Sequence, residues 1–241
     1  MVKVSIILPI YNNANDAINA INSVLKQTYK DWELIIINDS SKDNIKNVLK
    51  RYDKYKNIKI YHNLKNMGCY WCLNFGIQNS TGEYITRIDS DDKYNKNKIR
   101  KQVRFLDNNT NYLGIFVQSI KNMDINHKIP ASMAPFMMRR NIINDIGYYD
   151  SVRFGADLEY KRRLFLYYGK EKFKFLKMVM YYIKKRPNSL TKHKNSKMFS
   201  PQREMYNKEF NKWHKQSNKN NLYISFPLET RPFPIHKLSM I

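Results

Sequence analysis

The first hundred residues alternate short apolar runs with segments of helical periodicity, and this alternation constrains the fold more than any other feature. The apolar runs are rich in β-branched residues, which is typical of buried strands. They read "KVSIILP", "WELIIIND", "IKIYH" and "EYITRID", and helical spacing follows each of the first three. Strands and helices that alternate over short connections form a parallel sheet covered by helices. We therefore predict an α/β fold of the nucleotide-binding type, with a mostly parallel, twisted sheet and helices on both faces.

The alternation becomes less regular after a predicted helix at 95–107. Further strands are predicted in "LGIFVQS", "SMAPFMM" and "FKFLKMVMYYIKK", and a helix in "SPQREMYNKEFNKWHK", before an extended, Pro-rich end. A helix is also predicted over 157–168, with Leu158, Leu164, Phe165 and Tyr168 facing inward. Because no linker or repeat interrupts the chain, we expect a single domain in which residues 108–241 extend the half formed by residues 1–107.

The formal net charge is +23, and most of it lies in the second half. Such a field attracts phosphates, nucleic acid or anionic lipid, although a dispersed, solvated Lys-rich surface explains it equally well. No apolar run approaches the length of a membrane span, the N-terminus begins a strand rather than a leader, and two cysteines cannot make a disulfide framework. These features predict a cytoplasmic protein, with peripheral membrane contact as an alternative.

Polar side chains follow three of the predicted strands, where open parallel sheets bind their ligands. They are Pro9, Tyr11 and Asn12 after the first strand, Asp39 after the second, and Asp89, Asp91 and Asp92 after the fourth. Three carboxylates within four residues repel one another unless a cation or hydrogen-bond donors compensate. Mg²⁺ and Mn²⁺ prefer oxygen ligands and often share them with substrate phosphates. The cluster predicts either a metal and phosphate site or a solvated Asp-rich turn.

Five motifs in order decide between these alternatives. "VSIILPIYNN", "ELIIINDSSKDN", "NMGCYWCLNFGI", "STGEYITRIDSDD" and "RFGADLEYKRRL" resemble the successive signatures of family 2 glycosyltransferases, and they span about two thirds of the chain. The resemblance implies a GT-A fold and inverting transfer from a nucleotide-sugar. It makes residues 1–107 the nucleotide-sugar-binding half and residues 108–241 the acceptor-binding half of one domain.

The resemblance also assigns donor contacts. It places the backbone around Pro9 and Tyr11, together with Asp39, at the base and ribose. The family often has two acids and a glycine where this chain reads "NDSS", so only Asp39 is carried over. Lys65 and Asn66 lie where a basic residue commonly approaches the nucleotide, with an ordinary loop as the alternative for Lys65.

The segment Asp89, Ser90 and Asp91 matches the Asp-x-Asp motif of the family. The resemblance implies that Asp91 binds Mn²⁺ or Mg²⁺ and that Asp89 lies nearer the ribose, with Asp89 as a second metal ligand. Some GT-A enzymes bring a late histidine to the metal, and His193 is the candidate here, although a lone histidine is more often a surface or packing residue.

Asp157 in "GADLEY" matches the acid that the family uses as general base. The chemistry requires a base, because the acceptor hydroxyl loses its proton as it attacks the anomeric carbon. Helix capping is the alternative role for Asp157, and Glu159 is a second candidate base. Arg153, Arg162 and Arg163 flank the motif, where they bind a diphosphate or an acidic acceptor, or form a solvated helix face.

The sequence therefore predicts an inverting, metal-dependent glycosyltransferase with a UDP-sugar as the favoured donor and a glycan, lipid-linked or protein acceptor. A sugar nucleotidyltransferase is disfavoured because "PIYNNAND" lacks a Gly-rich phosphate loop. Clustered carboxylates at strand ends argue against nucleic acid as the partner, although the charge suits it. A basic nucleic-acid-binding protein, or a donor-binding protein without transfer, remains as the alternative.

The stretch "GCYWCLNFG" contains both cysteines, Cys69 and Cys72. A zinc site needs further soft ligands that the chain lacks, and a redox pair needs a reactive thiolate. The resemblance instead places Cys72 at a small buried position of a helix. We therefore predict a structural role for the thiols and expect Asn66 and Gly68 to be the useful residues of the stretch.

Overall fold

The apolar runs of the sequence form the strands of one sheet, as predicted. The structure is a computed structural model that describes residues 2–129, 132–184 and 200–235. Within these ranges the strands are β1 (Val4–Ile10), β2 (Trp32–Asn38), β3 (Ile58–His62), β4 (Tyr84–Arg87), β5 (Lys93–Tyr94), β6 (Gly114–Lys121), β7 (Asp124–Ile129), β8 (Met137–Arg139) and β9 (Phe173–Ile183). The helices of the same ranges are α1 (Ala14–Leu25), α2 (Ile45–Lys50), α3 (Cys69–Gln78), α4 (Lys98–Asn108), α5 (Ile142–Ile146), α6 (Ala156–Tyr168) and α7 (Pro201–Gln216).

Strands β1 to β4 are parallel and bring their carboxyl ends to one edge of the sheet. The strand order is β3-β2-β1-β4-β8-β6-β9-β5, with β7 also paired to β6. Ile7 of β1 lies opposite Ile35 of β2 and Arg87 of β4, so β1 and β2 end level with each other and β4 ends three residues earlier. This alignment places the loops after β1, β2 and β4 side by side.

Side chains of the central strands alternate between two cores, because successive residues of a strand point to opposite faces. Ile6 and Leu8 pack in the core under α1, α2 and α4, whereas Ile7 packs under α3, α5, α6 and α7. Helices therefore cover both faces of the sheet, as predicted from the alternation. Gly76 of α3 lets this helix lie close to the sheet, since a Cβ there would be 2.3 Å from Ile7 Cγ2.

The second half of the chain curls the sheet around its carboxyl edge. Strand β8 is antiparallel to both β4 and β6, so β6 and its parallel neighbour β9 run in the same direction as β4. Strand β5 pairs with the far side of β9, four strands from β4 in the sheet order. In a flat sheet the link between β4 and β5 would have to cross four strand spacings of about 4.8 Å each. Residues 88–92 could reach that far only if they were almost fully extended. The sheet therefore curls, and residues 88–92 cross its carboxyl edge.

Several features of the second half differ from the predictions. The short elements β5, β7 and α5 were not predicted, and only the end of "SMAPFMM" is a strand. The predicted helix over 157–168 is confirmed as α6, but the inward orientation of Leu158 is wrong, since its side chain is 37% exposed. Glu159 and Arg163 occupy the buried face instead. Their mutual ion pair makes this burial tolerable, a compensation that hydrophobic periodicity cannot register.

Beyond α7, residues 217–235 run back over the domain. Ile224 forms an isolated bridge with Gly147, and Leu222, Ile224 and Phe233 are buried in the core under α6 and α7. The end of the described chain is therefore an integral part of the fold. Across residues 2–129, 132–184 and 200–235, none of the helices has both the length and the apolar character that crossing a bilayer requires.

Candidate functional site

The loops after β1 and β4 are joined by a side-chain hydrogen bond at the carboxyl edge. Asn13 Nδ2 donates to Ser90 Oγ over 2.9 Å. Pro9 is buried within β1, opposite Ile37 of β2, and Tyr11 follows with 49% of its surface exposed. The sequence-predicted residues Pro9, Tyr11 and Ser90 therefore lie together at this edge, with the Tyr11 ring open to solvent.

Asp39, at the end of β2, accepts four hydrogen bonds from the loop that precedes α3. Oδ1 accepts from Asn63 Nδ2 at 2.8 Å and from the Met67 backbone at 2.7 Å. Oδ2 accepts from Asn66 Nδ2 at 2.9 Å and from the Gly68 backbone at 2.8 Å. Two bonds per oxygen use all the lone pairs of a carboxylate. Asp39 thus fixes the loop, and a contact with a base or ribose would require it to exchange one of these bonds.

Asn66 connects this loop to the second half of the chain. Its Oδ1 accepts a hydrogen bond from Arg153 Nη1 over 3.3 Å, while its Nδ2 is bound to Asp39. Gly68 ends the loop with φ 81°, a left-handed conformation that glycine adopts without a steric penalty. Lys65 lies exposed on the same loop. Asn66 is therefore positioned by two of the predicted site segments, and Lys65 extends from them into solvent.

The acidic loop after β4 divides its carboxylates between surface and interior. Asp89 and Asp91 are half-buried, whereas Asp92 is buried and accepts a hydrogen bond from the Lys184 backbone at 3.0 Å. Burial, together with the negative charges of Asp89 and Asp91, raises the pKa of Asp92 to about 8. Asp92 is therefore a structural member of the cluster, and the charge available to a ligand belongs to Asp89 and Asp91.

Two carboxylates fit a hard divalent cation that shares its shell with phosphate oxygens and water. In the part of the chain that the structure describes, no group of three or more His, Cys, Asp and Glu side chains is arranged to enclose a metal. Asp89 and Asp91 are the more exposed carboxylates of the loop, and Arg87 Nε lies 3.7 Å from Asp89 Oδ1. The predicted ligand His193 lies outside the described residues.

Arg87 is a buried cation beneath this loop that the sequence analysis did not single out. Its Nε lies 3.7 Å from Asp89 Oδ1, and its guanidinium carbon lies 5.9 Å from the ring centre of Tyr149. Its Nε and Nη1 atoms are buried and have no hydrogen-bond partner within the described ranges. Arg87 therefore joins the acidic loop to the aromatic residues under α6.

Asp157 lies in the first turn of α6, beside the N-terminus of α3. The helix follows Gly155, whose φ of 88° turns the chain into it. Asp157 Oδ1 accepts hydrogen bonds from Tyr70 Oη and from the Leu158 backbone, both over 3.0 Å. The same end of α3 thus contacts Asp39 through Gly68 and Asp157 through Tyr70. The N-termini of α3 and α6 therefore lie beside these two acids.

Glu159 and Arg163 are structural residues, and the candidacy of Glu159 as a base is wrong. Both side chains are fully buried, and Arg163 Nε donates to Glu159 Oε1 over 2.8 Å. His214 Nε2 of α7 lies 3.0 Å from the same oxygen, and Arg163 also donates to the carbonyls of Ile146 and Tyr148. For Arg163 neither of the two alternatives, ligand binding or a solvated helix face, agrees with its full burial. Arg162 instead contacts Asn211 of α7.

The cysteines begin α3, next to the site. Both thiols are free, and burial raises the pKa of Cys69 to about 12 and the pKa of Cys72 further still. A thiol with a raised pKa is a poor nucleophile at neutral pH. This chemistry agrees with the predicted structural role. Asp39 accepts a hydrogen bond from the Gly68 backbone and Asp157 accepts one from Tyr70 Oη, so both acids contact the start of α3. Asp89 lies beside Arg87, whose guanidinium is over the ring of Tyr149, the stacking partner of Tyr70.

Sequence reasoning missed three residues of the site, Asn63, Tyr70 and Arg87. Asn63 and Arg87 are ordinary polar residues of a loop and a strand end, and Tyr70 is one of 18 tyrosines. A hint was available for Arg87, because a basic residue within an otherwise apolar strand needs a nearby acid when it is buried. Nothing local to the chain marks Asn63 or Tyr70.

Comparison with known proteins gives matches along most of the chain. The model of the family described as "Glycosyl transferase family 2" matches residues 5–182. An uncharacterized glycosyltransferase of Rickettsia conorii is 46% identical over 107 residues, which are 44% of this chain and 18% of that protein. The putative glycosyltransferase EpsE of Bacillus subtilis is 38% identical over 112 residues, 46% of this chain and 40% of that protein. The matched stretches thus span less than half of these curated relatives.

Solved structures share the fold. TarS of S. aureus, residues 1–349 in complex with UDP-GlcNAc, superposes with a TM-score of 0.68 at 21% identity, covering 78% of this chain and 60% of that one. The mannosyltransferase PcManGT of Pyrobaculum calidifontis, in complex with GDP-Man and Mn²⁺, gives a TM-score of 0.60 at 14% identity, covering 76% of this chain and 56% of that one. The curled α/β domain is thus the GT-A fold. With its acids gathered at the carboxyl edge and the family match along most of its length, the chain belongs to glycosyl transferase family 2.

Proposed function

We propose that this glycosyltransferase is an inverting, metal-dependent enzyme that moves a sugar from a nucleoside-diphosphate sugar, in the first place a UDP-sugar, to a hydroxyl group. The acceptor is a hydroxyl of a glycan, a lipid-linked molecule or a protein. The observation that supports this proposal most is that Asp39 and Asp157 both contact the start of α3, through Gly68 and Tyr70, while Asp89 lies against Arg87 at the same edge. The proposed enzyme needs one acid that orders the donor loop, one that binds a cation and one that accepts a proton. Asp39, Asp89 and Asp157 lie in different environments that suit these three roles.

In this mechanism Asp39 holds the loop of residues 63–68 in the shape that receives the nucleotide, with Lys65 and Asn66 beside it. Asp91 and Asp89 would hold Mn²⁺ or Mg²⁺. When bound, the ion supplies positive charge to the departing diphosphate. Asp157 accepts the proton of the acceptor hydroxyl as the oxygen attacks the anomeric carbon. Attack on the face opposite the leaving group in one displacement inverts the configuration.

The two halves of the chain take different parts in this proposal. Residues 1–107 supply the donor side and residues 108–241 the acceptor side, with Asp157 at their junction. UDP-GlcNAc and GDP-Man, the nucleotide-sugars in the TarS and PcManGT complexes, are the first donors to test. The net charge of +23 suits an acceptor that carries phosphates or lies at an anionic membrane surface.

The test is a panel of UDP- and GDP-sugars with Mn²⁺, Mg²⁺ or a chelator, read as thermal stabilisation and as nucleoside diphosphate release. We expect one donor class to stabilise the protein and to turn over only with a divalent ion. Asp157→Asn should keep the stabilisation and lower turnover about 100-fold or more, since a general base contributes at least that factor. Asp91→Ala should lose the metal-dependent stabilisation.

Asp53 is an exposed acid outside the site, and Asp53→Asn and Asp53→Ala are the matched controls, which should behave as the unmodified protein. If no donor of the panel stabilised the protein or released a nucleoside diphosphate, the proposed activity would be rejected. If salt-sensitive binding of DNA or RNA were found instead, and survived Asp91→Ala, the nucleic-acid-binding alternative would replace it. Unchanged turnover in Asp157→Asn would remove this residue from the mechanism.

A further inference from the structure

We infer that Tyr70 is a positioning residue for Asp157, holding its carboxylate with one oxygen directed to internal donors and the other left for the acceptor proton. The inference rests on the proposed function of Asp157 as general base. Tyr70 belongs to "GCYWC". From the sequence we predict no role for this tyrosine and expect Asn66 and Gly68 to be the useful residues beside it. The tyrosine between the two cysteines, and not the thiols, connects this helix start to the reacting groups.

The hydrogen bonds of Asp157 are distributed unequally between its two oxygens. Oδ1 accepts from Tyr70 Oη and from the Leu158 backbone, both over 3.0 Å. Among residues 2–129, 132–184 and 200–235, no donor reaches Oδ2. A carboxylate held in this way has a defined rotamer and a single oxygen with its lone pairs available. That oxygen is the one that can take a proton without breaking an internal bond.

Tyr70 is itself held rigidly, which a positioning residue requires. It is buried, and its ring stacks on Tyr149 at 5.9 Å with an interplanar angle of 29°. Tyr149 stacks in turn on Tyr160 of α6 at 4.2 Å, and the Arg87 guanidinium lies over Tyr149. The stack joins α3 to α6, so it fixes the distance between the Tyr70 hydroxyl and the first turn of the helix that carries Asp157.

The Tyr70 hydroxyl also remains a donor at every working pH. Burial, reinforced by the negative charge of Asp157, holds the pKa of Tyr70 well above its usual value. A hydroxyl that stays protonated beside a carboxylate can only donate to it. The orientation of Asp157 is therefore independent of pH on the side of Tyr70.

The proton transfer that Tyr70 supports belongs to a single displacement at the anomeric carbon. The acceptor oxygen forms a bond to the anomeric carbon while its proton passes to Asp157 Oδ2. The bond between the anomeric carbon and the diphosphate oxygen breaks, and its electron pair leaves with the nucleoside diphosphate. Tyr70 exchanges no proton in this step. It contributes by keeping Oδ2 in the geometry that proton transfer needs, within a fraction of an ångström.

The experiment is a double-mutant cycle on Tyr70→Phe and Asp157→Asn, with nucleoside diphosphate release from the donor that passes the panel described above. Water serves as the acceptor, so no natural acceptor is needed. Tyr70→Phe keeps the stacked ring and removes only the hydroxyl. We expect turnover to fall about tenfold or more, the effect of losing one hydrogen bond to a charged group, with the donor KM within about twofold. In the Asp157→Asn background the same change should have no further effect.

The matched control is Tyr84→Phe, which removes a tyrosine hydroxyl that donates to Asp107 Oδ1 over 2.6 Å at the opposite end of β4. Its turnover should stay within about twofold of the unmodified protein. Equal losses from Tyr70→Phe in both backgrounds would show a general structural role and overturn the inference. An intact rate in Tyr70→Phe combined with a large loss in Asp157→Asn would overturn it while leaving the proposed function standing.

Thermal unfolding of the same four proteins of the cycle, without donor, tests the hydrogen bond independently of activity. We expect the two substitutions to lower or raise the Tm non-additively, because each removes one partner of the same bond. Additive Tm changes would contradict the contact between Tyr70 and Asp157. If no donor turned over at all, the proposed function would fail and the Tm cycle alone would decide whether the bond exists.

Discussion

Asp39 and Asp157 lie beside the same helix start, but the protein surrounds them differently. Both oxygens of Asp39 are saturated by four donors of its own chain, whereas the described residues supply donors to only one oxygen of Asp157. An acid that is saturated with internal bonds orders a loop, and an acid with an open oxygen can accept a proton. This contrast between the two residues supports the assignment of the base to Asp157.

Lys98, in the first turn of α4, is a fully buried amine. Its Nζ donates to Thr86 Oγ1 over 3.0 Å and lies 4.0 Å from the ring centre of Tyr94. Within the described part of the chain, no carboxylate forms an ion pair with it. Burial alone lowers the pKa of Lys98 well below its usual value. Lys98 therefore costs the folded protein stability wherever the unfolded chain carries the charge.

We predict that Lys98→Met stabilises the protein by about 1–3 kcal/mol at pH 7, because it removes a polar group that burial disfavours. Between the lowered pKa of Lys98 and about 10.4 the unfolded chain binds more protons than the native state, so the stability of the unmodified protein rises with pH. The advantage of Lys98→Met should therefore shrink toward pH 10. Urea unfolding at pH 7 and pH 9.5 measures both effects.

The control for this prediction is Lys101→Met, an exposed lysine of the same helix. It should change the unfolding free energy by less than about 0.5 kcal/mol at either pH. A destabilised Lys98→Met protein, or a difference from the unmodified protein that does not change with pH, would show that the Lys98 side chain is retained for its bonds to Thr86 and Tyr94.

At the scale of elements, α6 is attached to α7 by a buried polar cluster. Glu159 of α6 accepts from Arg163 of the same helix and lies against His214 of α7, while Arg163 reaches the carbonyl groups of Ile146 and Tyr148. Because α6 also carries Asp157, this cluster sets the orientation of the proposed base. The buried polar face of α6 therefore attaches the helix to its neighbours, and its first turn carries the proposed base.

We predict that Glu159→Gln lowers the unfolding free energy by about 3–5 kcal/mol, because it leaves the Arg163 cation buried without its counter-charge. Denaturant unfolding at pH 7 is the measurement. Glu229→Gln, on an exposed side chain, is the control and should stay within about 0.5 kcal/mol of the unmodified protein. An unchanged unfolding free energy for Glu159→Gln would contradict this prediction and would mean that solvent compensates the charge of Arg163.

The net charge of +23 acts on the molecule as a whole. Like charges spread over one compact domain repel one another, and unfolding relieves this repulsion by separating them. Ion pairs counter it locally, such as those of Lys3 with Glu83 and Asp107, while the chain carries 43 basic and 20 acidic side chains. The folded state therefore carries an electrostatic cost that depends on the solvent.

We predict that raising NaCl from about 20 mM to about 500 mM increases the Tm, since the Debye length falls from about 20 Å to about 4 Å and the repulsion is screened. Differential scanning calorimetry across the salt series measures it. KCl at the same ionic strength serves as the control and should give the same increase, because screening does not depend on the cation. A Tm that stays constant or falls would show that favourable ion pairs outweigh the repulsion.

The sequence by itself determined the order of strands and helices in the first half, the two-sided core and the position of the acids at strand ends. These features follow from local physics: β-branched apolar runs form buried strands, and parallel strands bring their ends to one edge. Asp39 and Asp89 were therefore identifiable before the fold was seen, whereas Asp157 was singled out by the resemblance to the family. The small elements β5, β7 and α5 were not, because two to six residues carry too little periodicity to be recognised.

Only the tertiary structure shows which partners surround each of these acids. The saturation of Asp39, the inward rotation of Glu159 and the bond between Tyr70 and Asp157 join residues far apart in the chain. Whether a carboxylate is paired, buried or open depends on donors that other elements bring to it when the chain folds. Hydrophobic periodicity in the sequence does not reveal the positions of these donors. The chain thus specifies which chemistry is present through its residue types, and packing assigns that chemistry to individual atoms.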